Sequence, residues 1–175
     1  YLKIGNDFKA AETFELQNEL YPVSTNYNSI GVLYSNAGAT DKAIEFYEKA
    51  LEENPHDKHA YANLGSTLLY KKPKQAKEYL QKALNIDPEH DIALIELGKI
   101  DKSEGNTVAA QVKFRKAYDL YLKQWKTNSL PKYAYGWFAT VAEELEENNF
   151  AKEIRASAPK TESEAYYNKE NLSMT

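Results

Sequence analysis

The sequence contains no cysteine, which excludes disulfide bridges, thiol catalysis and zinc sites built on cysteine ligands. It also lacks any apolar run near the roughly 18 residues that a membrane-spanning helix needs. The N-terminal stretch YLKIGNDFKAAE has no apolar segment of the kind found in signal peptides. These absences predict a soluble protein that does not enter a membrane, and they leave cytoplasmic and bacterial periplasmic locations open.

Basic residues are also fewer than acidic residues. The chain has 22 Lys and Arg residues against 26 Asp and Glu residues, which gives a net charge of −4. Because nucleic-acid-binding surfaces carry a basic excess, this balance argues against a nucleic-acid partner. The hydrophobic content of 42% and the charged content of 27% are ordinary for a globular protein. A length of 175 residues fits one domain or an array of small repeated units.

Glycine is scarce, and six of the seven glycines fall at only two positions of an internal repeat of 33 or 34 residues. These glycines are Gly31, Gly65 and Gly98 at one position, and Gly5, Gly38 and Gly105 at the other, which is missing where KKPK shortens the middle unit. Three further positions recur with the same step: Ala10, Ala43, Ala76 and Ala110; Phe14, Tyr47, Leu80 and Phe114; Pro22, Pro55 and Pro88. A period of this length indicates a repeat architecture.

Each repeat unit is predicted to form two helices. In the first helix of the first unit, Tyr27, Ile30 and Tyr34 form an apolar face at helical spacing, and Gly31 lies on that same face. Because glycine costs about 1 kcal/mol relative to alanine in a helix, we interpret the recurring glycine as a slot where two helices approach closely. The residues assigned to structural packing are Gly31, Gly65, Gly98, Ala43, Ala76 and Ala110.

The repeated segments closely resemble tetratricopeptide repeats (TPRs). The first copy is YNSIGVLYSNAGATDKAIEFYEKALEENP, and the second is YANLGSTLLYKKPKQAKEYLQKALNIDP. The third copy, LIELGKIDKSEGNTVAAQVKFRKAYDL, has Asp101 at a position that is usually large and lacks the closing proline. The resemblance covers residues 1 to about 122 and implies an all-α fold. In that family, antiparallel helix pairs build a right-handed superhelical solenoid, here with about eight helices.

The repeat phase divides the chain into six parts. We predict a second helix of a truncated first repeat (1–22), three repeats (23–56, 57–89 and 90–128), a degenerate or capping helix pair (129–158) and a polar tail (159–175). The second helix of the third repeat is expected to extend to about residue 127. Without a first helix to cover it, the N-terminal helix would expose Phe14, Leu16 and Leu20. This predicts a chain cut from a longer polypeptide, and a natural capping helix is the competing interpretation.

No residue pattern predicts catalysis, a cofactor or a metal site. His56 and His59 lie beside Asp57, but all three stand at a turn where polar residues are expected. His90 lies in a similar turn, and EELEE (143–147) is typical of a solvated helix face. The chain contains no nucleophile elbow, P-loop or dinucleotide-binding glycine motif. We therefore predict that this chain is not an enzyme.

The resemblance implies that the first helices line a concave groove, which suits an extended peptide or a partner helix. The groove candidates are Asn28, Val32, Ser35, His59, Asn63, Ser66, Tyr70, Ile92, Ile95, Lys99 and Lys102. A second candidate surface is the aromatic patch of Tyr133, Tyr135 and Trp137, which together with Phe138 is more simply explained as the core of the terminal helix pair.

These patterns favour a protein-interaction scaffold that binds a protein or peptide. Relatives that clamp the acidic tails of heat-shock chaperones carry basic and amide residues in the groove. The matching positions here include Val32, Ile92 and Glu96, so we predict no chaperone-tail binding. A second hypothesis is an accessory or dimerisation domain of a larger bacterial α/β-hydrolase esterase, because FELQNELYPVSTNYNSIGVLYSNAG is similar to the repeat extension of some such enzymes. A homodimer through the exposed N-terminal helix is a further expectation.

Overall fold

The computed structural model describes residues 2–20 and 24–159, and every regular element within these ranges is a helix. The all-α prediction is therefore confirmed, with nine helices in the described ranges where about eight were expected. No helix there is both long and apolar enough to cross a bilayer. The helices are α1 (Leu2–Leu20), α2 (Ser24–Asn36), α3 (Thr40–Glu53), α4 (Lys58–Leu68), α5 (Pro73–Ile86), α6 (Asp91–Ser103), α7 (Thr107–Lys126), α8 (Ala134–Glu144) and α9 (Asn148–Ser157).

The chain forms two compact units, residues 1–113 and 114–175, and the division falls within α7. In the first unit, α2 packs against α3 and α4 packs against α5, in the paired arrangement expected of the repeats. Successive pairs contact each other through α3 with α4 and α5 with α6, and α4 also contacts both α2 and α6. The first helices of the three repeats are therefore neighbours. In the second unit, α8 packs against α9.

Two of the three glycines at the turn position have the left-handed backbone that a tight helix–helix turn requires. Gly38 has a φ of +76° and Gly105 has a φ of +82°, conformations that favour glycine. Gly5 shares the repeat spacing of these two glycines but does not lie in such a turn, because α1 runs through it without interruption. The repeat spacing alone therefore does not determine the backbone conformation at this position.

The starts and ends of the repeat helices follow the sequence signals. Pro55 lies two residues beyond the end of α3, and Pro88 lies two residues beyond the end of α5. Asp57 caps α4, because its side chain accepts hydrogen bonds from the backbone N–H groups of His59 and Ala60 at 2.9 and 3.0 Å. The long helix α7 ends at Lys126. Pro22 and the tail beyond residue 159 lie outside the described residues.

Two of the repeated glycines, Gly31 and Gly65, lie where the helices of a pair meet. A Cβ atom built on Gly31 would lie 2.6 Å from two ring carbons of Tyr47, a distance that real side chains do not tolerate. A Cβ atom on Gly65 would lie 2.7 Å from Cγ of Leu80. Neither glycine has room for a side chain in this packing. The other assigned packing positions, which are Gly98, Ala43, Ala76 and Ala110, are all buried.

Asp101, the residue that departs from the repeat pattern, is buried with 7% of its surface exposed. Its carboxylate forms an ion pair with Lys113 of α7, and Nζ of Lys77 lies 4.0 Å from it. A buried charge needs such partners, because desolvation of an unpaired carboxylate is costly. The third repeat therefore replaces an apolar contact by an ion pair at this position.

Candidate functional site

The first helices α2, α4 and α6 carry the predicted groove residues, and we call the surface formed by these side chains the groove face. Because α4 contacts both α2 and α6, the three helices present these residues side by side. The exposed members are Ser35, His59, Tyr70 and Lys102, and the half-buried members are Asn28, Val32, Asn63, Ser66, Ile92 and Lys99. Tyr70 lies in the turn after α4 and has 93% of its surface exposed.

Ile95 is the exception among the predicted groove residues. It is 0% exposed, so it belongs to the core and offers no surface to a partner. The physical reason is that α6 is covered on most of its circumference, with all six residues from Ala93 to Gly98 buried. A helix enclosed in this way exposes only a narrow strip. On α6 the groove face is therefore reduced to Ile92, Lys99 and Lys102.

Two side-chain pairs join neighbouring first helices across the groove face. Asn63 of α4 donates a hydrogen bond from Nδ2 to Oδ1 of Asn28 on α2, with a length of 3.0 Å. Nε2 of His90, which caps α6, lies 3.1 Å from Nδ1 of His59 on α4. These contacts fix the register of one repeat against the next with polar groups. Substituting either pair would therefore alter the shape of the face as well as its chemistry.

The tautomer of His90 follows from its role as a helix cap. Its Nδ1 accepts a hydrogen bond of 3.4 Å from the backbone N–H of Ala93. The proton of the neutral ring therefore lies on Nε2, which donates to Nδ1 of His59. The ring is only 4% exposed, so protonation would place a second proton where the Ala93 N–H already points.

The surroundings of His90 keep it neutral. Burial lowers the pKa of His90, Asp91 and Asp87 oppose this effect, and His59 and Lys58 reinforce it. The unfolded chain, with an ordinary histidine pKa near about 6.5, takes up the proton at higher pH than the folded chain does. Stability from neutral His90 is thus fully present above that pH and is lost as the pH falls towards the lower folded pKa.

Replacing His90 by asparagine is expected to make stability less dependent on pH between about 7 and about 5. Asparagine keeps a capping acceptor but does not titrate in this range. Thermal unfolding of the wild type and His90→Asn at several pH values measures the slope. His56→Gln, which changes an exposed histidine, is the matched control and should behave as the wild type does. Equal slopes for wild type and His90→Asn would contradict this account.

Two polar oxygen atoms near the groove face are buried without a hydrogen-bond partner among the residues that the structure describes, namely Oε2 of Glu96 and Oγ of Ser66. Glu96 is 4% exposed, and its Oε1 accepts a hydrogen bond of 3.2 Å from Nζ of Lys99. The sequence predicts that Glu96 repels an acidic tail in the groove. Its carboxylate is instead buried and is held by Lys99, so it offers little surface to a partner.

A cleft of about 540 Å³ opens where the turn after α4 and the start of α5 meet the end of α6. We call it the lysine cleft. Its lining combines apolar groups with basic side chains and one acid: Leu69, Tyr70, Pro73, Lys74, Lys77, Lys99, Ile100, Ser103 and Glu104. Two predicted groove residues, Tyr70 and Lys99, belong to this lining. The cleft itself was not predicted, although the run of lysines in KKPKQAK was a visible signal.

The predicted aromatic patch divides between surface and interior. Tyr133, just before α8, is 67% exposed. Tyr135 and Trp137 are half-buried. Phe138 is completely buried and is not available to a partner. The three residues of the predicted patch therefore keep some exposed surface, whereas Phe138 belongs to the core.

The remaining polar candidates are those for a metal site or a carboxylate site. Within the described ranges, no group of three or more His, Asp or Glu side chains is arranged to hold a metal ion. In the acidic stretch of residues 143–147, Glu143 accepts a hydrogen bond of 2.8 Å from Arg155, and Glu147 lies 4.0 Å from Arg115. These contacts are surface ion pairs, but the prediction of a single solvated helix face is wrong, because α8 ends at Glu144 and residues 145–147 form the turn before α9.

Known proteins resemble this chain in sequence over part of its length. Family models described as tetratricopeptide repeat match residues 27–57 and 59–90. Human tetratricopeptide repeat protein 6 is 28% identical over 54% of this chain, which spans 18% of that protein. Photosystem I assembly protein Ycf3 from Synechococcus sp. (strain CC9605) is 33% identical over 41% of this chain, which spans 44% of that protein. The chain thus spans less than half the length of each of these curated relatives.

Solved structures extend the likeness in fold to most of the chain. A crystal structure of MamA is 20% identical, covers 88% of this chain and 87% of its own, and superposes with a TM-score of 0.59. The TPR domain of Arabidopsis OM64 is 25% identical, covers 57% of this chain and 84% of its own, and gives a TM-score of 0.53. At these identities the likeness concerns the fold.

Proposed function

This chain carries a tetratricopeptide-repeat domain, and we propose that it is a non-catalytic scaffold that binds a partner protein along the groove face. Helical repeats of this kind use an extended surface built from successive units to bind other proteins. The observation that carries the proposal is the side-by-side placement of α2, α4 and α6, each with polar side chains on the groove face.

The chemistry of the groove face suits a peptide or a helix of mixed character. Val32 and Ile92 offer partly exposed apolar surface, while Ser35 and Lys102 contribute exposed polar side chains. Such a combination provides both burial and directional contacts for a bound segment. A partner that lies along α2, α4 and α6 would contact all three repeats at once.

The test compares a groove variant with a variant of equal charge change elsewhere. Ser35→Arg combined with Lys102→Glu alters two exposed positions of the groove face. Gln111→Arg combined with Lys123→Glu alters two exposed positions of α7 and is the matched control. Immobilised wild-type protein should capture a partner that the groove variant retains at least about tenfold less well and the control retains equally. Equal capture by all three proteins would refute the groove assignment.

The outer surface of α1 supports a second candidate, self-association through this helix. Ala11 of α1 is completely buried, whereas Phe14, Leu16 and Leu20 are 41%, 60% and 69% exposed. We propose that two copies cover these side chains mutually, since their burial would be favourable. Sedimentation equilibrium should then show a wild-type dimer and a monomer for the double variant Leu16→Glu and Leu20→Glu. A monomeric wild type would contradict this candidate.

An accessory role beside an upstream α/β-hydrolase domain has less support. The relatives named above include no esterase, so this role stays a prediction. The sequence of the complete gene tests it, because the role requires a nucleophile elbow upstream of the repeats. The absence of chaperone-tail and nucleic-acid binding likewise stays a prediction.

A further inference from the structure

We propose that the lysine cleft binds an acidic segment of a partner protein and receives one of its apolar side chains. This inference rests on the proposed scaffold function and names the chemistry of the partner. The cleft lies between the second and third repeats, and Lys99 and Tyr70 connect it with the groove face. The composition of the cleft depends on the turn between α4 and α5, which departs from the repeat pattern.

The turn between α4 and α5 differs from its counterparts after α2 and α6. It contains no glycine, and the backbone N–H groups of Lys71 and Lys72 both donate to the carbonyl of Leu68, at 3.1 and 2.8 Å. Pro73 then begins α5. Tyr70 belongs to this turn and lies at the rim of the cleft with 93% of its surface exposed.

Four of the seven residues from 71 to 77 are lysines, and no acidic residue interrupts them. Helix α5 also begins without an acidic residue in its first turn or a side-chain cap. Positive charge at the start of a helix is unfavourable, so this arrangement costs stability. Local conflicts of this kind are expected at functional sites, where a ligand relieves them.

The lysines of this run are neutralised only in part. Nζ of Lys77 lies 2.6 Å from Oε2 of Glu104 and 4.0 Å from the carboxylate of Asp101. Lys99 of the lining is likewise paired, with Glu96 at 3.2 Å. Lys71 lies 3.7 Å from Asp41, but the side chains are 61% and 98% exposed, so the attraction is weak. Lys74, which lines the cleft, and Lys72, which is next to the lining residue Pro73, are exposed, and neither forms an ion pair with any residue that the structure describes. Positive charge therefore remains at Lys74 and at the neighbouring Lys72, in a chain whose net charge is −4.

The interior of the cleft is apolar. Ile100, which is 7% exposed, and the half-buried Leu69 contribute aliphatic surface, and Tyr70 and Pro73 stand at its edge. A volume of about 540 Å³ accommodates one or two large side chains. The partner segment that matches both properties has carboxylates on either side of a phenylalanine or leucine.

The same charges argue for a protein rather than a nucleic acid. Glu104 lies within the cleft and Asp41 lies beside Lys71, so a continuous phosphate backbone would meet two carboxylates. Isolated carboxylates on a peptide avoid this repulsion, since their spacing can follow Lys72 and Lys74. Proteins that bind single-stranded nucleic acids usually stack the bases on several aromatic side chains. The cleft has one exposed aromatic ring, that of Tyr70.

The probe for this inference is a fluorescein-labelled peptide of about ten residues in which glutamates flank a central phenylalanine. Fluorescence anisotropy should detect binding to the whole chain, and the affinity should fall as NaCl rises from about 50 mM to about 500 mM. The double variant Lys72→Glu and Lys74→Glu should weaken binding at least about tenfold. The matched control, Lys123→Glu with Lys152→Glu, reverses two exposed lysines elsewhere and should bind as the wild type does.

Two further peptides and one oligonucleotide distinguish an acidic-peptide site from other kinds of site. Peptides with glutamine for glutamate, or with alanine for phenylalanine, should each bind at least about tenfold more weakly. No binding of the acidic peptide, equal binding of the glutamine peptide, or displacement by a short single-stranded RNA at lower concentration would each overturn the proposal. If Ser35→Arg with Lys102→Glu loses the captured partner while Lys72→Glu with Lys74→Glu keeps it, the scaffold function stands and the assignment of the cleft fails.

Discussion

Replacing Phe138 by alanine is expected to lower the free energy of unfolding by about 3–5 kcal/mol, the range for a large aromatic side chain removed from a core. Phe138 of α8 is 0% exposed and forms the centre of an aromatic cluster. Its ring centroid lies 5.5 Å from that of Tyr118, 5.8 Å from that of Tyr121 and 5.7 Å from that of Phe150. These rings come from α7, α8 and α9, so one substitution removes contacts among all three helices.

Urea unfolding followed by tryptophan fluorescence measures this effect, because Trp125 belongs to the same cluster and its ring centroid lies 6.5 Å from that of Phe138. Tyr133→Ala is the matched control. Tyr133 precedes the same helix but is 67% exposed, so its removal should change stability by no more than about 0.5 kcal/mol. If Phe138→Ala unfolded at the same urea concentration as the wild type, the aromatic cluster would not be what stabilises residues 114–159.

The contrast between Phe138 and Tyr133 shows why the aromatic run could not be resolved from sequence. Helical spacing predicts which residues share a face, but not how much of that face another helix covers. Phe138 is the fully buried residue of the run, because α7 and α9 supply its ring contacts. The positions of those helices depend on tertiary packing in a part of the chain without a repeat signature.

The repeated part was predictable in fold because backbone geometry constrains the same few positions in every copy. A close approach between helices and a left-handed turn each exclude most side chains. Glycine therefore recurs at these positions with the period of the repeat. Gly5 shows the limit of this reasoning. It has the repeat spacing of Gly38, but its conformation depends on the helices around it, and α1 continues through it.

The candidate site was less predictable than the fold. His59 and His90 are 31 residues apart, and the pair forms only because α4 and α6 are brought together at a particular register. The burial of Ile95 depends likewise on how completely its neighbours enclose α6. The lysine run was visible in the sequence, but the cleft beside it requires the end of α6, which lies in the next repeat. Contacts between repeats, rather than patterns within them, determine these features.

Replacing Gly65 by leucine is expected to cost at least about 1–3 kcal/mol through overpacking, and Gly31→Leu is expected to cost a similar amount. At Gly65 the first side-chain atom alone would lie 2.7 Å from Cγ of Leu80 and 3.1 Å from the carbonyl oxygen of Ala76. At Gly31 it would meet the ring of Tyr47, which is 2% exposed and has little freedom to move. Because a backbone oxygen cannot rotate away as a side chain can, Gly65 should be the more sensitive of the two.

Thermal unfolding separates this packing effect from the general effect of glycine in a helix. Gly5 and Gly136 are also helical, but apart from its chain neighbours and the backbone of its own helix, a Cβ atom at either would meet no described atom within 4 Å. Gly5→Ala and Gly136→Ala should therefore stabilise by up to about 1 kcal/mol through helix propensity, while Gly65→Ala should destabilise. The same substitution, glycine to alanine, should thus lower stability at a packing slot and raise it at a glycine that has free space around it. If Gly65→Ala stabilised the chain as Gly5→Ala does, the close approach of α4 to α5 at Gly65 could not be what excludes a side chain there.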